Sequence, residues 1–154
     1  MSMYRRTTVD FIQRTKANLE LINGLTTKTE GQAYEVTQLV NSLLGLLVMP
    51  QQQRVLERDV ELLSLSRDGW PFPQPADGFR NPRYLTELLR LMRNSIAHWG
   101  LEFGEANGKI ANLKMTNKHI LNANPSWVAL ISISDLNIFV QKLCEHILRE
   151  LDAG

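Results

Sequence analysis

Five apolar residues, Leu85, Leu88, Leu89, Met92 and Ile96, recur at the spacing of one helix face, and the pattern stops at Gly100. Residues three and four apart share a side of an α-helix, so this run needs burial along a single stripe. Arg90, Arg93 and Ala97 lie to one side of that stripe. Asn81 reads as the cap of the helix and Pro82 as a residue of its first turn. An asparagine side chain accepts a bond from an early N–H, and proline has none to lose there. A helix with such a stripe must be covered by other helices or by a sheet.

Comparable stripes recur along the chain. A first helix is expected from about Arg5 to Gly24, with Val9, Ile12, Lys16, Leu19 and Ile22 or Asn23 near the helical period. A second runs from about Glu30 to Val48, its apolar face made by Val36, Leu39, Val40, Leu43, Leu44 and Leu47. Tyr34, Gln38, Asn41 and Gly45 form a separate polar and small-residue stripe, and Pro50 is expected to end the helix. A short helical piece follows from Gln52 to Leu63, then a long loop from Ser64 to Asn81. Trp70, Phe72 and Phe79 should pack that loop onto the body.

Beyond Gly100, the segment Leu101 to Met115 reads as a hairpin turning at Asn107-Gly108. Trp127 to Ile133 reads as a further strand. Ser134 is expected to cap a final helix, with Asp135 in its first turn and Leu136, Phe139, Val140, Leu143, Ile147 and Leu151 on its core face. The expected architecture is one mainly α domain over residues 1–154: a bundle of four to five helices with a small β-hairpin or strand appendage.

Composition narrows the partners. The chain is 44% hydrophobic and 21% charged, the range of an ordinary globular protein. A formal net charge of +1 supplies no global field to attract nucleic acid, so RNA binding would need a local patch or the assembly of two copies. Lys109, Lys114 and Lys118 follow the hairpin and are able to touch phosphate, but three lysines on a solvated hairpin are commonplace. The lone Cys144 sits in an apolar pattern and fits a reducing compartment. Arg5 and Arg6 are followed by Thr7-Thr8-Val9-Asp10 instead of an apolar export signal, and no run is long enough to span a membrane, so a cytoplasmic location is expected. His119 and His146 have no cysteine or acidic partners at ligand spacing, and no Gly-rich phosphate loop, nucleophile elbow or acidic cluster stands out. No metal and no cofactor are therefore expected.

The helix striped by Leu85, Leu88, Leu89, Met92 and Ile96 ends in Arg93-Asn94-Ser95-Ile96-Ala97-His98. A guanidinium stabilises charge on a phosphate, and an imidazole moves a proton near neutral pH. Five residues along a helix turn through about 140° beyond a full circle, so Arg93 and His98 share a face only if the helix distorts or ends between them. Gly100 makes such an ending reasonable. The plainer alternative is a surface arginine and a histidine that caps the helix beside Trp99.

With these elements in order, the chain resembles the HEPN superfamily of α-helical RNases and nucleotide-binding domains. The likeness rests on Arg93-Asn94-Ser95-Ile96-Ala97-His98, which matches the family's Arg-x-x-x-x-His with a polar residue after the arginine. It rests also on the order of two helices, motif helix, hairpin and closing helix. The segments Ala33 to Asn41 and Val48 to Gln51 look like one bacterial, often plasmid-borne, branch.

The resemblance implies that Arg93 and His98 are a catalytic pair and that Asn94 supports them. It implies a homodimer whose two motifs face one cleft, and a metal-independent endoribonuclease acting through 2′-hydroxyl attack. Asn41 and Glu35, on the helix expected beside the motif, are candidates to line the cleft. A toxin, antiphage or stress-response role, with an antitoxin or other regulatory protein as partner, also follows only from the resemblance. Members regulated by a nucleotidyltransferase often carry a tyrosine two residues after the histidine, where this chain has Gly100. Two other readings stay open: a catalytically inactive nucleotide-binding or interaction module, and a structural adaptor that uses a Trp99-Leu101-Phe103 patch for a protein partner.

Overall fold

In the computed structural model, described over residues 3–26, 32–52, 56, 58–118 and 124–153, the apolar stripes become helices α1 (Met3–Thr26), α2 (Gln32–Gln52), α3 (Leu62–Arg67), α4 (Leu85–Ala97) and α5 (Ile133–Ala153). Strands β1 (Gln74–Pro75), β2 (Leu101–Ala106), β3 (Lys109–Asn117) and β4 (Trp127–Ser132) form one antiparallel sheet in the order β1-β4-β3-β2. The expected hairpin is thus half of a sheet, because β4 pairs with the free edge of β3 and β1 with β4. The chain divides into a unit of Met1–Glu57 with Val140–Gly154 and a unit of Arg58–Phe139.

In the first unit, α1 packs on α2. α1 buries Thr8, Ile12, Thr15 and Leu19, whereas Val9 and Lys16 are only half-buried. α2 buries Val36, Leu39, Val40, Leu43, Leu46 and Leu47; Leu44, expected inside, is half-buried and Leu46 takes its place. A Cβ at Gly45 would come 2.7 Å from the ring of Phe11, so this member of the small-residue stripe admits the neighbouring helix. α1 runs past Gly24 to Thr26, since glycine weakens a helix without forbidding it. α2 likewise runs past Pro50 to Gln52; so near the end, the missing N–H costs a single ladder bond.

The second unit is built on the inner face of the sheet. Leu113, Met115, Ala129 and Ile131 are buried there, and α4 packs against β3 with Leu85, Leu88, Leu89, Met92 and Ile96 buried. Asn107 and Gly108 both take left-handed backbone (φ 55° and 74°), as a tight hairpin turn requires. Trp70 is buried, stacked on Phe72 and edge-on to Phe139 at 5.7 Å, so the proline-rich loop packs as expected. Pro75 lies on the short edge strand, where it needs no N–H for the ladder.

Three local expectations are corrected. The helix expected over Gln52–Leu63 is displaced: residues 58–61 are not helical and α3 begins at Leu62. Their polar groups serve α4 instead, Val60 O accepting from Leu85 N (2.9 Å) and Asp59 accepting from Thr86 N (3.3 Å) and Thr86 Oγ1 (2.7 Å). Asn81 is not the cap of α4, whose N-cap position is Tyr84. It joins two other segments, donating to Pro73 O (2.7 Å) and accepting from Trp127 Nε1 (3.1 Å). The cap of α5 is Ser132, not Ser134: Ser132 Oγ accepts from Asp135 N at 3.1 Å, and β4 passes straight into the helix.

Candidate functional site

The motif straddles the end of α4. The last helical residue is Ala97, and His98 occupies the C-cap with φ −106° and ψ 20°. Trp99 N donates to Ile96 O (3.3 Å) and Gly100 N to Ser95 O (2.7 Å). This pair of bonds is the Schellman ending, which satisfies carbonyls the helix leaves open and needs a left-handed residue after the cap. Here that residue is Trp99, at φ 55°. Gly100 has a different task, because a Cβ on it would collide with the carbonyl oxygen of Thr116. Thr116 N donates to Gly100 O at 2.7 Å, which ties the helix end to β3.

His98 N still donates to Asn94 O at 3.0 Å, so the chain follows the helical track up to His98 and leaves it at Trp99. Arg93 and Asn94 are half-buried on the last turn, and His98 is exposed just beyond it. The structure brings Arg93 and Asn94 together: Nε and Nη2 of the guanidinium donate to Asn94 Oδ1 at 3.4 and 3.2 Å. Ser95, buried beneath, donates from Oγ to Leu91 O (2.9 Å) and steadies the same turn.

The other sequence candidates lie on other elements of the chain. Asn41 is exposed on α2 in the first unit, whereas Arg93, Asn94 and His98 belong to the second. Glu35 lies on α2, but its side chain is outside the described residues, as is the whole of His119. Arg90 pairs with Glu87 at 3.1 Å, and Lys114 pairs with Glu102 at 3.4 Å across the hairpin. Lys109 and Lys118 are exposed. Burial pushes the Cys144 thiol up to about 11, which makes it a poor nucleophile. His146 is buried, and desolvation lowers its pKa. Among the described residues no three acidic, histidine or cysteine side chains group to hold a metal ion, and no helix is long and apolar enough to cross a membrane.

Two residues that the sequence did not single out position this site. Asp59 caps α4 from a distant segment, and Thr116 receives its end. Neither gives a local sequence signal, because each acts on a helix far from it in the chain.

The order is two helices, a motif helix that ends within Arg93–His98, a hairpin that belongs to a four-stranded sheet, and a closing helix. The chain belongs to the HEPN family: the family model described as HEPN pEK499 p136, a plasmid-type branch, matches residues 1–153. No curated protein and no solved structure matches it. Domains of this family often form dimers and bind RNA.

Proposed function

We propose that the chain is a metal-independent endoribonuclease whose site is shared between two copies. The observation that carries this reading is the ending of α4 at Ala97, which leaves His98 exposed at the cap, one turn beyond an Arg93 held by Asn94. One His98 takes the proton of a ribose 2′-hydroxyl. The oxygen attacks the adjacent phosphorus, the bond from phosphorus to the 5′-oxygen breaks, and the second His98 gives that oxygen its proton. The products are a 2′,3′-cyclic phosphate and a 5′-hydroxyl. A single imidazole cannot fill both roles in one step, and a two-fold axis supplies the second. Arg93 stabilises the extra negative charge of the five-coordinate phosphorus.

In this reading the biological role is that of a toxin or a defence or stress factor held in check by a regulatory protein. Gly100 offers no hydroxyl for modification, so control would act elsewhere. The test is cleavage of a mixed RNA pool in EDTA by the wild type, Arg93→Ala and His98→Ala. Loss of the histidine should slow cleavage about a hundredfold or more, and loss of the arginine by a comparable factor. Equal activity in all three proteins overturns the reading and leaves a HEPN module that binds without cutting.

A further inference from the structure

Trp99 combines two features that rarely occur together. Among the described residues it is the most exposed large apolar side chain, at 87%, and it sits at φ 55°. The only other described non-glycine residue with positive φ is Asn107, in a hairpin turn where asparagine is at home. The residue after a helix cap is the position where glycine is cheapest, because a Cβ strains the left-handed backbone. This chain places a tryptophan there, and the indole buries almost nothing in return. Strain held at a solvent-facing side chain points to a use outside the fold.

We propose that Trp99 is a stacking platform for an unpaired RNA base beside the phosphate handled by Arg93 and His98. The inference rests on the reading of that pair as an RNA site. The base of a nucleotide lies one ribose away from its phosphate, and the indole lies one residue away from the imidazole. The platform is held in place: the bond from Gly100 N to Ser95 O fixes it to the helix, and the bond from Thr116 N to Gly100 O fixes it to β3 (both 2.7 Å). A rigid aromatic ring suits stacking, which every base can supply.

A protein partner is the less suited occupant. Ala97, His98 and Glu102, close to Trp99 in the chain, are exposed, and of the three only the small Ala97 is apolar. Phe103, also partly exposed, lies opposite buried Leu113 in the hairpin register, on the edge strand. Interfaces between proteins need wider continuous apolar surface than one ring.

Trp99 is also the natural reporter, because Trp70 and Trp127 are 5% and 1% exposed. The experiment titrates the full-length protein with a single-stranded 2′-deoxy oligonucleotide, which cannot be cleaved, and follows intrinsic fluorescence and the anisotropy of a label on the oligonucleotide. Wild type, Trp99→Gly and Trp99→Phe are compared, with cleavage of RNA measured in parallel. The expected result is quenching in the wild type, affinity reduced about tenfold in Trp99→Gly, and most of it recovered in Trp99→Phe. In cleavage, Trp99→Gly should raise KM with kcat largely kept. Glycine relieves the backbone, so this variant should fold at least as well as the parent.

Unchanged affinity in Trp99→Gly overturns the platform, even if the wild type cleaves RNA. A change of oligomeric state in Trp99→Gly without a change in affinity also overturns it, and assigns the indole to a protein contact. Affinity that falls in Trp99→Gly and recovers in Trp99→Phe by anisotropy, in a protein that cleaves nothing, supports the platform while the nuclease reading fails.

Discussion

The junction of α4 and β3 is tight enough for one methyl group to report on it. In Gly100→Ala the new Cβ would land on Thr116 O and come within 3.3 Å of Ser95 O. Both are backbone atoms, so no side chain can swing aside. They belong to the same two residues that bond to Gly100, through Ser95 O and Thr116 N at 2.7 Å each. Relieving the clash therefore means separating the strand from the helix end and weakening one or both bonds. Overpacking of this kind costs about 1–3 kcal/mol, and each lost hydrogen bond about 1 kcal/mol. A total of about 3–4 kcal/mol is a large share of the stability of a typical domain. In urea unfolding with a slope near 2 kcal/mol per molar, the midpoint should fall by about 1.5–2 M. Gly24→Ala is the matched control: it lies inside α1 with nothing within 4 Å of a new Cβ. It should raise stability by about 0.5 kcal/mol. A midpoint shift below about 0.5 M in Gly100→Ala would refute the close approach and, with it, the rigid seat claimed for Trp99.

Asp59→Ala should destabilise the second unit by about 1–2 kcal/mol, because it removes the only side-chain acceptor found at the start of α4 among the described residues; thermal melts read the loss, and Asp59→Asn should restore part of it. Burial lowers the pKa of His146 in the folded chain, so below about pH 6.5 the unfolded chain takes up a proton that the folded one resists. The contribution of His146 is therefore complete above that pH and declines on acidification toward the lowered pKa; urea midpoints at pH 8 and pH 5 should converge in His146→Gln relative to the wild type, and an unchanged difference would contradict the assignment.

Where a residue's role is set by its own helix or strand, the sequence already displays it. The core faces of α4 and α5 follow helical spacing, and Leu85, Leu88, Leu89, Met92 and Ile96 are buried, as are Leu136, Phe139, Val140, Leu143, Ile147 and Leu151. Asn107-Gly108 turns the hairpin for a reason visible in two letters. Roles set by distant partners were hidden. Asn81 looks like a cap, yet its amide joins Pro73 to Trp127, and the capping falls to Asp59, whose own neighbours suggest a helix. Polar side chains follow the nearest unmet donor in space, which periodicity does not encode.

The motif itself divides along the same line. That Arg93 and His98 share a face only where the helix distorts or ends between them follows from helical geometry alone, and Gly100 suggests an ending. How it ends does not follow. The presence of glycine invites the left-handed role, but Gly100 is needed for its lack of a Cβ against Thr116, and the left-handed turn passes to Trp99. Exchanging those two tasks would make an easier helix ending, with glycine after the cap and a side chain directed elsewhere. The chain instead accepts strain at Trp99, one residue from His98, where the aromatic ring stands exposed.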